Sequence, residues 1–210
     1  MLQSRRVKKL VLCLLINEGA EDTIGMRSRL PTVLLSIIIA LLAFGLAMPI
    51  TTSAHKPRAL PPKVVSAAPG IHPLGHGRHH VWGFEVYRAT LWIVGLKWSA
   101  VKPHAMELEP GRSIPADSLV EAALDEMRDL KLGDAAKLQT WGREMRQLVP
   151  DVNKGDIFVI FCPSDGETVV FLDNRKTGEV QDSSLCPAIM SIWLHPETSK
   201  GELRHALLRH

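Results

Sequence analysis

The folded part of this sequence lacks the excess of one charge that a nucleic-acid binder needs. Lys and Arg total 25 and Asp and Glu 22 in 210 residues, a formal net charge of +3. Six of the basic residues (Arg5, Arg6, Lys8, Lys9, Arg27, Arg29) and three of the acidic ones (Glu18, Glu21, Asp22) precede residue 55. That leaves 19 of the 25 and 19 of the 22 in residues 55–210, so the long remainder is neutral and no nucleic-acid partner is expected. There is no phosphate-cradling glycine loop, and no Ser/His/Asp or Cys/His set at a recognisable catalytic spacing. Nothing calls for a cofactor. Cysteine is scarce: Cys13, Cys162 and Cys186.

Charge is absent altogether from Leu30 to Ala54. The run "VLLSIIIALLAFGLAM" follows Arg27 and Arg29, Pro49 breaks it, and Thr52 and Ala54 then offer a small-x-small pattern. This predicts a signal peptide over 26–54, cleaved after Ala54, and a periplasmic or secreted domain. The other reading of the same span is an anchor in the inner membrane. The membrane would be met only through this segment. Residues 1–25 fit no leader pattern, and Met26 with "RSR" opens a complete one, so 1–25 are expected to be an over-extended N-terminus. Export would remove Cys13, leaving Cys162 and Cys186 either as a disulfide or as two buried thiols on separate elements.

What is present falls into a simple order. "HKPRALPPKVVSAAPGIHP" (55–73) holds five prolines without apolar periodicity and reads as an extended linker, so folding is expected over 74–210. "HGRHHVWGFEVYRATLW" (76–92) is rich in β-branched and aromatic residues. Its apolar face changes phase between Trp82–Phe84–Val86 and Tyr87–Ala89–Leu91–Ile93, which predicts one long strand with a bulge near 85–88. "HAMELE" (104–109) reads as a further strand. Two amphipathic helices follow, one with Leu119, Val120, Ala123, Leu124, Met127 and Leu130 on its stripe, the other with Leu138, Trp141, Met145 and Leu148, capped by Asp134. "DIFVIFC" and "ETVVFL" are strands, "EV" (179–180) a short third one, and "SLCPAIMSIWL" an apolar helix. "SKGE" (199–202) has capping-box spacing before a last helix. The order predicts an α+β domain, an antiparallel sheet with helices layered on one face.

"GHG…VYRATLW", "LVPDVNKGD", the "FLDN" segment and "IWLHPETSKGELRHALL" resemble, in order and spacing, the bacterial chalcone isomerase-like domain family, exported relatives of plant chalcone isomerase. The resemblance covers about residues 74–208. The sequence departs from the pattern at its end, where "LLRH" replaces "LLG", and at Arg175, where glycine is common. The resemblance implies a sheet with a helix layer and an apolar cleft between them. In plant enzymes an arginine near the start of the long strand assists ring closure of an aromatic enone, helped by hydroxyl-bearing residues; other relatives bind fatty acids. Counted back from Val86–Tyr87, the arginine's position falls on His79, with Arg78 beside it, and the expected threonine is missing from Trp82-Gly83-Phe84.

The catalytic candidates are therefore Arg78, His79 and Tyr87, and the ligand-binding candidates Trp82, Phe84, Tyr87 and Trp92. The competing reading of Tyr87 is a core tyrosine with a satisfied hydroxyl, and of Trp92, Trp141 and Trp193 that they pack sheet against helices. His76, His79 and His80 do not share one strand face and have no carboxylate or cysteine at ligand spacing, so no metal site is expected. Asn174 reads as a turn residue tolerating a left-handed backbone. The leading expectation is an exported, non-catalytic binder of a small apolar or amphipathic, fatty-acid-like ligand. The alternatives are an intramolecular lyase (isomerase) acting on an aromatic enone, and an envelope scaffold with no ligand.

Overall fold

The computed structural model describes residues 58–209. The expected signal peptide or anchor over 26–54, the expected cleavage after Ala54 and residues 1–25 lie outside the described residues. Six strands form one antiparallel sheet in sequence order: β1 (His72–Val81), β2 (Phe84–Ile93), β3 (His104–Pro110), β4 (Phe158–Cys162), β5 (Thr168–Leu172) and β6 (Arg175–Val180). A short helix, α1 (Pro62–Ala67), precedes them. Two helices, α2 (Ala116–Asp129) and α3 (Ala135–Leu148), interrupt the sheet after β3, and α4 (Leu185–Leu194) and α5 (Gly201–Leu208) follow it. The antiparallel α+β architecture is the expected one.

Strand alternation sorts the side chains. Ala89, Leu91, Ile93, Met106, Phe158, Ile160 and Val170 point toward the helix layer, where Val120, Met127, Leu138, Trp141, Met145 and nearly all of α4 meet them. Ala105, Val159, Phe161, Val169 and Phe171 make a second core on the other face. Apolar cover on both faces explains why β4 reads as a continuous apolar run instead of alternating. Cys162 of β4 and Cys186 of α4 are joined by a disulfide across a 24-residue separation, with Cα atoms 6.0 Å apart.

Five expectations are corrected. Residues 58–68 do not run as an extended linker: Leu60, Val64 and Ala68 are buried against the second face. Pro61 and Pro62 sit at the start of α1, where a missing N–H costs nothing, so the prolines begin a helix here. The stretch 76–92 is a hairpin of two strands, not one continuous strand. Trp82 and Gly83 form its two-residue turn, both with positive φ (51° and 85°), and Val81 pairs with Phe84. The bulge lies where it is expected: the register shift between His79 and His80 leaves Val86 as an extra residue of β2 between Glu85 and Tyr87, and this produces the change of apolar phase. Ser199 caps nothing; its backbone N–H and hydroxyl donate to Glu126 of α2. At the β5–β6 turn Asp173, not Asn174, takes the left-handed backbone (φ 55°), and β6 starts at Arg175, well before Glu179.

Two glycines of β1 seat the last helix. A Cβ on Gly75 would lie 2.4 Å from the carbonyl oxygens of Ala206 and Leu207, and one on Gly77 would lie 2.7 Å from the Leu203 side chain. The bare backbone lets α5 lie directly on β1.

Candidate functional site

Register decides which candidate faces which side. Residues paired across an antiparallel ladder share a face. His79 pairs with Tyr87 and Arg78 with Arg88. His79 therefore stands on the helix side with Tyr87, Ala89 and Leu91, and Arg78 stands on the opposite face. There Arg78 lies 3.6 Å from Glu85, and Arg88 bridges Glu85 (3.0 Å) and Glu109 (3.7 Å). Arg78 is half exposed and its charge is spent on this surface network.

On the helix side the His79 and Tyr87 rings lie 5.1 Å apart and tilted by 32°. The Tyr87 hydroxyl accepts from the Trp193 indole N–H at 2.9 Å. This joins β2 to α4, so the sheet-to-helix role read for Trp193 sits with a site role for Tyr87. Burial pushes the Tyr87 phenol well above its ordinary range, so it stays a neutral hydroxyl. Burial, reinforced by the Lys200 ammonium, holds His79 down to about 4, so its imidazole is neutral near pH 7.

The charged members of the cluster come from elsewhere. Glu126 of α2 accepts from Lys200 Nζ at 2.7 Å, from the Ser199 hydroxyl at 2.7 Å and from the Ser199 backbone N–H at 3.0 Å. Thr198 Oγ1 donates to the Ile192 carbonyl at 2.6 Å and lies 3.2 Å from Glu126 Oε1. Burial works against the Glu126 charge, but Lys200 and Ser199 outweigh it and hold the carboxyl below its usual range. The Lys200 charge is thereby neutralised within the protein. No sequence pattern marks this pair: its members are 74 positions apart, and Ser199 and Lys200 carried only a local helix-start signal.

The four ligand-binding candidates are not brought together. Trp82 and Phe84 are 52% and 63% exposed at the hairpin tip. Trp92 belongs to the second face, where its indole N–H donates to Glu107 at 2.7 Å. Glu107 is a buried carboxylate that sequence reading missed, and burial raises its pKa. Only Tyr87 remains at the sheet–helix interface. Among the described residues no group of three His, Cys, Asp or Glu is arranged to hold a metal ion.

Two concavities open on the helix layer, and the lining of neither includes His79 or Tyr87. One, of about 260 Å³, is bounded by Trp98, His104, Met190, Leu194 and Arg204. The other, of about 340 Å³, lies among Leu132, Lys137, Trp141 and Ser184. The His79–Tyr87 pair itself is a small polar island of two neutral groups, and among the described residues no unpaired cation lies beside it.

Residues 74–209 match the family described as chalcone isomerase-like. No curated protein matches the sequence. Among solved structures, the fold is similar to that of a fatty-acid binding protein of Arabidopsis thaliana, with a TM-score of 0.52 and 15% identity. That match covers 71% of this chain and 95% of the other.

Proposed function

This chain belongs to the chalcone isomerase-like family, and from that premise we propose that its domain is an exported, non-catalytic binder of a small apolar or amphipathic, fatty-acid-like ligand. The observation that carries this reading is His79 beside Tyr87 on the helix side. Ring closure of an enone builds negative charge on an enolate oxygen, and catalysis needs a fixed donor or cation where that charge develops. The family resemblance places the arginine at His79. A neutral imidazole occupies that place, Arg78 faces away, and Lys200 is tied to Glu126. What remains at that place lacks the fixed cation that driving the reaction needs. The likeness to a fatty-acid binding protein supports the same class of ligand. The disulfide supports export, since such bonds persist in oxidising compartments.

The reading is tested by assaying ring closure of a chalcone with the purified chain. The expected result is a rate equal to the uncatalysed one. Turnover that is lost in both His79→Ala and Arg78→Ala would overturn it in favour of the intramolecular lyase.

A further inference from the structure

Arg204 has an unusual setting. Its Nε donates to the Leu194 carbonyl at 2.9 Å. Among the described residues no carboxylate forms an ion pair with it, and the same holds for Arg112, whereas Lys200 is paired with Glu126, Lys137 with Asp182, and Arg88 with Glu85 and Glu109. Arg204 lines the groove of about 260 Å³ formed by α4, α5 and the 94–103 loop, whose walls include Met190, Leu194 and Trp98. His104 and His195 also line the groove. His104 Nδ1 lies 2.7 Å from the Lys102 carbonyl, which can only accept, so that nitrogen carries the proton, and burial lowers the pKa of the ring. A guanidinium against apolar walls without a counter-ion calls for one from outside, and its planar fork fits a carboxylate. The volume equals that of roughly nine liquid waters, small for a ligand pocket.

We propose that this groove binds a short carboxylate-bearing apolar molecule, of the size of an eight-carbon acid, with its carboxylate on the terminal nitrogens of Arg204 and its chain along Met190, Leu194 and Trp98. The inference rests on the reading of the domain as a binder of amphipathic ligands, and it assigns the ligand to the groove at Arg204 instead of the His79–Tyr87 pair.

The test uses the full chain and an octanoate carrying a photoreactive diazirine on its alkyl chain, with the labelled peptides mapped by tandem mass spectrometry. The expected result is saturable labelling within 98–104 and 187–196, competed by plain octanoate. That labelling should fall at least tenfold in Arg204→Gln and in Ala100→Trp, which fills the groove from an exposed loop position. Circular dichroism and the unfolding midpoint check that each variant is folded. Should Arg204→Gln fail to fold, Ala100→Trp decides alone. Labelling concentrated on the peptide holding His79 and Tyr87, or undiminished in the folded variants, would overturn the groove while leaving the binder reading intact. No saturable labelling anywhere would overturn both.

Discussion

His79 leaves the Tyr87 end of the sheet without a charge. Held down to about 4 by burial and by Lys200, its imidazole carries no charge near neutrality. The same fact has a consequence for stability. A histidine whose folded pKa lies below its ordinary value near 6.5 binds fewer protons folded than unfolded. Between about pH 6.5 and pH 4, acidification therefore favours unfolding, and the stability present above 6.5 is lost downward through this window. Solvent screening at this partly exposed ring keeps the loss below the roughly 1.4 kcal/mol per pH unit of a fully buried group. Denaturant midpoints measured across this range should fall in the wild type and fall less in His79→Gln; parallel curves would mean that His79 is not held neutral. A second residue-scale expectation concerns Tyr87. Tyr87→Phe leaves the Trp193 indole N–H without its acceptor, and should cost about 1–3 kcal/mol in equilibrium unfolding. An unchanged midpoint would place Trp193 in contact with water.

Among the elements, α1 tests how far the domain extends toward the N-terminus. Val64 is fully buried on the second sheet face, and its neighbour Val65 is 49% exposed. Val64→Ala should lower stability by about 1–2 kcal/mol, and Val65→Ala should change it little. Two small and equal effects would return this segment to the status of a linker. Legibility in the sequence follows the same physics. β4 and the stripes of α2 and α3 were plain, because burial on two faces or one imposes an apolar pattern within a few residues. The hairpin was hidden because a tryptophan occupies a left-handed turn position usually held by Asn, Asp or Gly, so Gly83 alone marked the turn. α1 was hidden because its contribution is Leu60, Val64 and Ala68 amid prolines, too short a pattern for periodicity to register. In the site, Tyr87 and the position of His79 were legible through the family pattern. Glu126 and Lys200 were not, since a pair 74 residues apart that forms only across the fold leaves no local spacing. Which of Arg78 and His79 faces the helices depended on strand register, and misreading the hairpin left that undecided.

At the scale of the whole molecule, a sheet covered on both faces is tied to its helix layer by one covalent link. In the chain-entropy account, closing a loop of about 24 residues stabilises by about 3.5 kcal/mol at room temperature. The Cys162→Ser, Cys186→Ser double variant should therefore unfold at distinctly lower denaturant than the oxidised wild type, and reductant should shift the wild type toward it. Two titratable thiols in the untreated chain would contradict the bond. The account's central claim is that this fold keeps a binding role without the isomerase chemistry, and native mass spectrometry of the purified full chain mixed with octanoate tests it most directly. The expected result is a one-to-one adduct that survives desolvation; a chain that stays bare at every octanoate concentration would contradict the claim.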